Sequence, residues 1–96
     1  MRTTKDMDYI FDLDGREILI EVLQKEIRKE VISQYVACRK AKKMTQDELA
    51  RRTGISRPNI SRFESGNYNP SLEMMVRIAA ALDMTLNVKL QKSKEA

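Results

Sequence analysis

Residues 45–66 read TQDELARRTGISRPNISRFESG and contain two consecutive helix-start signals separated by one glycine. Thr45 and Glu48 have the S/T-x-x-E spacing of a capping box, in which each side chain binds a free backbone N–H of the first helical turn. Gly54 lies where a helix can end in a left-handed residue, a conformation that glycine adopts at almost no cost. Ser56 follows in position to cap a second helix. The stretch therefore predicts two short helices that meet at an angle around Gly54.

Apolar residues around both caps support this interpretation. A residue just before a helix cap often packs against the fourth residue of the helix, as a hydrophobic staple. The two pairs with this spacing are Met44 with Leu49 and Ile55 with Ile60. We predict helices over residues 47–53 and 57–64, arranged as a helix-turn-helix. The apolar residues expected to be buried between them are Leu49, Ala50, Ile55, Ile60 and Phe63.

The positive charge of the chain is concentrated around this stretch. The chain has 96 residues and a formal net charge of +4. Residues 37–66 contain eight basic and three acidic side chains, a balance of +5, whereas residues 1–30 contain six basic and eight acidic, a balance of −2. A basic cluster alone is usually only a solvated face, but on a helix-turn-helix it predicts attraction to phosphates. A core this small is often completed by a second subunit, so we expect a homodimer.

The residue types argue against an enzyme or a metal site. The chain has one cysteine, Cys38, and no histidine, so the commonest metal ligand and general base are absent. We expect neither catalytic residues, nor a metal, nor a cofactor, and we interpret Cys38 as a small filler in the core. The sequence shows no signal peptide and no apolar run long enough to span a bilayer, which predicts a cytoplasmic protein without membrane contact.

The N-terminal extension, residues 1–30, allows two interpretations. Asp14-Gly15 between the apolar runs YIFDL and REILIEV fits the turn of a β-hairpin. Asp14 could equally cap a helix, with Glu17 as its capping-box partner. Downstream, apolar residues recur every three or four positions, as on one face of a helix: Ile20, Leu23, Ile27, Val31 and Tyr35. That spacing favours a helix from about residue 16 to about residue 43, either continuous or with a break near Lys29.

The C-terminal third predicts one further helix and a strand. Ser71 is placed to cap a helix with a broad apolar face, which Asp83 closes. The residues that then alternate with polar ones, as in a strand with one apolar face, are Met84, Leu86, Val88 and Leu90. A single strand leaves its backbone unpaired, so we expect it to pair with its own copy in a dimer, or with the N-terminal segment if that segment is a hairpin. The predicted organisation is an extension (1–30), a helix-turn-helix domain (31–83), a dimerising strand (84–91) and a tail (92–96).

Residues from about 31 to 82 resemble the Cro/C1-type helix-turn-helix family, also called the xenobiotic-response-element type. The matching residues are Met44-Thr45-Gln46, Leu49-Ala50, Gly54-Ile55-Ser56, Ile60-Ser61, Glu64-Ser65-Gly66, Pro70-Ser71 and Ile78-Ala79. The resemblance implies an all-α, five-helix, lambda-repressor-like domain, here with an N-terminal extension and a short C-terminal β-strand. It also implies that the helix over residues 57–64 lies in the DNA major groove while the preceding helix crosses the backbone.

The outward polar positions of this recognition helix are the expected base contacts: Arg57, Asn59 and Arg62. Arginine can bind guanine and asparagine can bind adenine through paired hydrogen bonds. Pro58 offers an apolar contact, for example to a thymine methyl group, and leaves the first residue of the helix uncertain by one position. The alternative for either arginine is a surface ion pair with Glu64 or another carboxylate.

Contacts to DNA phosphates are expected from residues at helix ends and in the adjoining loops: Gln46, Ser56, Ser65 and Asn67. A side-chain amide and free backbone N–H groups at a helix start can hold a phosphate. Glu64 is expected to be structural, bound to loop N–H groups or to an arginine, because a carboxylate facing phosphates would be repelled.

Two functions follow from these observations. The first is a dimeric transcriptional repressor that binds double-stranded DNA at a palindromic operator. The second is an antitoxin of a type II toxin–antitoxin pair, which binds a protein toxin and represses its own operon. The candidate toxin-binding residues are Tyr9, Ile10, Phe11, Leu13, Ile18 and Leu19, whose alternative role is packing on the domain or across a dimer. A protein-interaction module without DNA binding has little support in the sequence.

Overall fold

The fold consists of a short β-hairpin followed by four α-helices. A computed structural model describes residues 9–11 and 17–92, with side chains from residue 20 onward. The strands β1 (Tyr9–Phe11) and β2 (Glu17–Leu19) pair antiparallel, with Ile10 opposite Ile18. The helices are α1 (Ile20–Ala41), α2 (Gln46–Thr53), α3 (Arg57–Glu64) and α4 (Leu72–Ala81).

The prediction of five helices and a C-terminal strand is wrong. Within residues 9–11 and 17–92 there are four helices, and residues 84–92 form neither helix nor strand. Asp83 takes a left-handed φ of 59° two residues after the end of α4, and the residues that follow lack the helical apolar period that would start a fifth helix. A strand needs a hydrogen-bonded neighbour. In the described part of the chain, residues 84–92 pair with neither β1 nor β2.

The N-terminal segment forms a hairpin, and the helix predicted from residue 16 begins only at Ile20. The start at residue 16 is therefore wrong, because the helical apolar spacing begins at Ile20 and residues 17–19 pair with β1 instead. From Ile20 the helix continues without a break to Ala41, and Lys43 then takes a left-handed φ of 55°. The Asp14-Gly15 turn and the last residues of the predicted tail lie outside the described residues.

Both helix starts predicted in residues 45–66 are confirmed. The Thr45 hydroxyl oxygen caps α2 by accepting a hydrogen bond from the Glu48 backbone N–H, at 3.1 Å. The Ser56 hydroxyl oxygen caps α3 in the same way, accepting from the Asn59 backbone N–H at 3.4 Å. Between the two helices, Gly54 takes a φ of 75°. The local sequence thus specifies both helices and the turn between them.

The capping box of α2 is only half formed. The Glu48 carboxylate accepts a hydrogen bond from Arg52, one turn along the helix, at 2.7 Å. A carboxylate at this position can bind either the cap backbone or a cation four residues on. In this chain the i, i+4 ion pair is the interaction that forms.

All four helices contribute to one hydrophobic core. Its buried residues are Ile32, Tyr35, Met44, Leu49, Ile60, Phe63, Ile78, Ala79 and Leu82. The predicted core residues Ala50 and Ile55 are half-buried and pack against this cluster. The ring of Tyr35 meets that of Phe63 edge-on, with ring centroids 5.1 Å apart, and the Tyr35 hydroxyl donates to the Met75 carbonyl oxygen at 2.9 Å. Burial raises the pKa of the Tyr35 hydroxyl.

Replacing Gly54 by alanine is expected to destabilise the fold by about 1–2 kcal/mol, because a Cβ disfavours the left-handed conformation. Apart from Gly54 itself and its two chain neighbours, no heavy atom lies within 4 Å of the position that the new Cβ would occupy, so the loss is conformational and not steric. The free energy of unfolding in urea measures it. Gly54→Asn is the matched control, because asparagine tolerates this conformation better than alanine does. Equal losses in the two variants would show that backbone conformation is not the cause.

Candidate nucleic-acid interface

The first turn of α3 presents three of the four predicted base-contacting residues to solvent. Ser56 is the cap, so Arg57 and Pro58 are the first two helical residues and Asn59 is the third. Proline fits here because the N–H that it lacks has no partner within the helix in the first turn. This geometry settles the first residue of the helix. All three residues are exposed to solvent.

The opposite face of α3 fixes the helix to the domain. Ile60 and Phe63 are 0% exposed, whereas Arg62 lies on the exposed side. Since the apolar residues of an eight-residue helix point into the core, the orientation of its polar residues is set by packing. The structure therefore places all four residues predicted as base contacts on the outer side of α3: Arg57, Pro58, Asn59 and Arg62.

The two arginines of α3 differ in their ion pairing. Arg57 Nε lies 3.3 Å from Asp47 Oδ1 of α2, with side chains 61% and 69% exposed. This is the surface ion pair that the sequence left as an alternative, although its partner is Asp47 and not Glu64. Such an exposed pair is worth about 0–1 kcal/mol. Arg62 has no ion-pair partner within 4 Å among the described residues.

A buried network joins α1, α2 and the end of α3. The Arg39 guanidinium of α1 donates to both carboxylate oxygens of Glu64, at 2.6 and 3.0 Å, and the two side chains are 12% and 7% exposed. The Gln46 side-chain amide donates to the same carboxylate at 2.9 Å. Arg39 also donates to the Met44 carbonyl oxygen at 2.7 Å. Glu64 is thus structural and bound to an arginine, as the sequence indicated.

Arg39 was not among the residues singled out from the sequence. The helical spacing could have indicated its burial, because Val31, Tyr35 and Arg39 are each four residues apart on α1. This row faces the core, since Tyr35 is buried and Val31 packs against the core cluster. A buried arginine requires a carboxylate partner. Because Glu64 lies 25 residues away in the chain, no local pattern connects the two.

The predicted phosphate contacts lie at helix ends beside α3. Gln46 is the first residue of α2 and Ser56 is the cap of α3. Ser65 caps the other end of α3, donating to the Arg62 carbonyl oxygen at 2.7 Å and accepting from the Asn67 backbone N–H at 3.2 Å. Ser56, Ser65 and Asn67 are exposed, while Gln46 is half-buried by its bond to Glu64.

Several cations near the two helices have no ion-pair partner. The exposed basic residues of the 37–66 segment without a carboxylate within 4 Å, counted over the described residues, are Lys40, Lys43, Arg51 and Arg62. Lys42, by contrast, pairs with Asp83 at 3.0 Å, and this contact lowers the pKa of the Asp83 carboxyl. Unpaired cations on a protein surface attract a polyanion.

The residues predicted to mediate dimerisation do not share one face. Met84 is 50%, Val88 67% and Leu90 100% exposed, whereas Leu86 packs against the core of its own domain. None of the helices in residues 20–92 is both long and apolar enough to cross a membrane. Those residues also contain no group of three or more potential metal ligands.

Comparison with known proteins identifies the family. A family model described as Helix-turn-helix matches residues 37–89, which include α2, α3 and α4. The chain belongs to this Cro/C1-type helix-turn-helix family, HTH_3. The family predicted from the motif is therefore confirmed, and the members of this family are DNA-binding proteins and not enzymes.

Two curated relatives and one solved structure are informative. An uncharacterised HTH-type transcriptional regulator of Haemophilus influenzae is 29% identical over 79% of this chain and 78% of the relative. Antitoxin HigA1 of Mycobacterium tuberculosis is 33% identical over 69% of this chain and 44% of the antitoxin. A chain of a toxin–antitoxin module from Streptococcus pneumoniae superposes with a TM-score of 0.61 and 30% identity, covering 75% of this chain and 79% of that one. The chain spans about half or less of the length of several curated relatives that it matches.

Proposed function

We propose that this chain is a transcriptional repressor that binds a palindromic operator as a homodimer, with α3 in the major groove. The observation that carries the proposal is the orientation of α3. Its apolar residues Ile60 and Phe63 are fully buried, which leaves the polar side of the helix to face a partner. Family membership supports DNA as that partner. In this proposal the protein acts in the cytoplasm, residues 31–83 bind DNA, and residues 84–91 contribute to the dimer.

The proposed base contacts are Arg57, Asn59, Arg62 and Pro58. Residues in the first turn of a recognition helix reach base edges most directly. The pair between Arg57 and Asp47 is exposed and weak, so exchanging Asp47 for a guanine or a phosphate would cost little. Arg62 lies one and a half turns along α3 and needs to break no ion pair within the described residues.

The proposed phosphate contacts are Gln46, Ser56, Ser65 and Asn67. The bond to Glu64 uses one N–H of the Gln46 amide, and its second N–H and the free backbone N–H groups of the first turn of α2 are available to a phosphate. Lys40, Lys43 and Arg51 add positive charge nearby in the chain. Binding should therefore weaken steeply with salt, with a slope of about −0.9 in log K against log salt for each neutralised phosphate.

Selection of bound duplexes from a random-sequence library tests the proposal. We expect a two-fold symmetric consensus whose half-sites lie about one helical turn, roughly 34–36 Å, apart. Failure to enrich any sequence would contradict operator binding. A consensus without two-fold symmetry would contradict only the dimeric arrangement.

Replacing Arg62 by alanine is expected to weaken binding to the selected sequence by about 1–3 kcal/mol and to relax the preference at one base pair. Lys29→Ala is the control, because Lys29 is exposed on α1 outside the 37–66 segment and its change should leave the consensus intact. Fluorescence anisotropy titrations on the selected and on random duplexes give both affinities. An equal loss on the two duplexes would make Arg62 a phosphate contact.

An antitoxin is the second candidate function, which the similarity to HigA1 and to the toxin–antitoxin module favours. The first half of α1 supplies a surface for a protein partner, because Val22 and Ile27 are 44% and 58% exposed there. The N-terminal extension, residues 1–30, would then bind the toxin.

Co-expression with the product of the neighbouring gene tests this second function. An antitoxin is expected to restore growth that the neighbouring product alone arrests, and Ile27→Glu should reduce the rescue while leaving the DNA consensus unchanged. Gln34→Glu is the control on the same helix, because Gln34 is exposed and lies outside residues 1–30. A neighbouring product that does not affect growth and does not bind this chain would count against the antitoxin.

A further inference from the structure

The outward side of α4 carries an apolar stripe that no residue of the described chain covers. Leu72 and Val76 are 63% and 51% exposed, and Ala80 continues their i, i+4 row on the exposed side. Ile78, on the opposite side of the helix, and Ala79, beside the row, are buried in the core. We call Leu72, Glu73, Val76, Arg77 and Ala80 the outer face of α4.

Exposed apolar side chains are concentrated on this part of the molecule. The large apolar residues that are exposed in residues 20–92 are Val22, Ile27, Leu72, Val76, Met84, Val88 and Leu90. Five of these seven lie in α4 or in the segment that follows it. A clustered apolar surface of this kind marks an interface more often than scattered exposed residues do.

Two opposite charges border the stripe on one side. Glu73 and Arg77 are exposed, and neither has an ion-pair partner within 4 Å among the described residues. At 100° per residue, both lie on the same flank of the row formed by Leu72, Val76 and Ala80. Their i, i+4 spacing would permit a pair within the helix, but the structure does not form it.

Two-fold symmetry makes this pattern complementary to itself. In a symmetric dimer the same patch is used twice, so residue i of one copy meets residue j of the other, and j meets i. If two copies of α4 pack antiparallel, Glu73 of each copy lies opposite Arg77 of the other. The apolar row is centred on Val76, and the midpoint of Glu73 and Arg77 is at residue 75, about 1.5 Å along the helix. A single two-fold axis can therefore relate both the apolar rows and the charged residues of the two copies. A parallel arrangement would put the charged flanks on opposite sides of the contact.

We propose that the outer face of α4 is the dimer interface, with two α4 helices packed antiparallel and joined by two reciprocal Glu73–Arg77 pairs. This inference rests on the proposed dimeric repressor and specifies its assembly. A ten-residue helix is about 15 Å long, so two such helices alone bury less than the roughly 800 Å² per partner of a standard interface. Met84 and Val88 are exposed in the segment that follows α4, and in this proposal they supply the additional buried area.

A charge-exchange experiment tests the pairing on the full chain. Glu73→Arg gives a variant with two cations on the flank, and Arg77→Glu gives one with two anions. Alone, each variant places like charges opposite each other twice, and we expect its dimer dissociation constant to rise about tenfold. Mixed in equal amounts, the two variants form a heterodimer with two attractive pairs, so dimerisation should return to near the wild-type level. Sedimentation velocity over a concentration series measures all three samples.

Matched controls and the DNA readout separate the possible outcomes. Glu21→Arg and Lys29→Glu make the same charge changes on α1 and are expected to leave the dimer unchanged; circular dichroism checks the fold of every variant. The inference is overturned if the wild type is monomeric at all accessible concentrations, if neither charge variant weakens the dimer, or if mixing restores nothing. Failure of the wild type to select a DNA sequence would instead contradict the proposed repressor. The mixing experiment would still test the α4 interface independently of that outcome.

Discussion

Replacing Glu64 by alanine is expected to destabilise the fold by about 3–5 kcal/mol, because the Arg39 guanidinium is then buried without its carboxylate. The two side chains are 12% and 7% exposed and share two hydrogen bonds. The same change removes the acceptor of the Gln46 amide. Removing one partner of a buried pair thus leaves two donors unsatisfied. The free energy of unfolding in urea, measured at neutral pH and moderate salt, gives the loss.

A double variant distinguishes the effect of an unpaired buried charge from that of lost packing. Arg39→Met combined with Glu64→Leu removes both charges, and we expect this double variant to be more stable than Glu64→Ala alone. Glu48→Ala is the surface control. Its pair with Arg52 is exposed, so its loss should be about 0–1 kcal/mol. A Glu64→Ala variant no less stable than Glu48→Ala would contradict the importance of the buried pair.

Replacing Phe63 by alanine is expected to destabilise the fold by about 3–5 kcal/mol, the usual range for a buried aromatic residue. The Phe63 side chain is 0% exposed and meets the ring of Tyr35 edge-on at 5.1 Å between centroids. The variant loses that contact and leaves a cavity between α1 and α3. Thermal and urea unfolding measure the effect.

Two further variants calibrate this prediction. Phe63→Leu retains most of the buried volume and should lose clearly less stability than Phe63→Ala. Ile27→Ala removes an apolar side chain that is 58% exposed, and is expected to change stability by about 0.5 kcal/mol or less. Comparable losses for Phe63→Ala and Ile27→Ala would mean that Phe63 is not central to the core.

The helix-turn-helix could be predicted in detail because its signals are local. Thr45, Gly54 and Ser56 each act on backbone groups within four residues, and each takes the role that its sequence position indicates. Phe63 and Ile60 are buried because the helical period leaves them a single inward face. The exposed side of α3 follows from the same period.

Features that depend on distant partners could not be predicted. Arg39 and Glu64 lie 25 residues apart in the chain, and neither residue has a local neighbour that reveals the bond between them. At the N-terminus, a hairpin and a helix both fit the local signals around Asp14-Gly15, and pairing between β1 and β2 decides between them. The period of residues 84–90 indicated a strand, but a strand forms only where another strand is available.

The shared carboxylate of Glu64 connects α2 with α3, and we expect the two helices to move as one unit. Glu64 is the last residue of α3, and its carboxylate accepts a hydrogen bond from Gln46 at the start of α2. Arg39 of α1 donates to the same carboxylate. In the proposed complex a backbone anchor and the base-reading helix therefore cannot adjust separately to an operator whose groove differs in width. The DNA has to deform instead, and its sequence-dependent flexibility then contributes to selectivity at base pairs that no side chain touches.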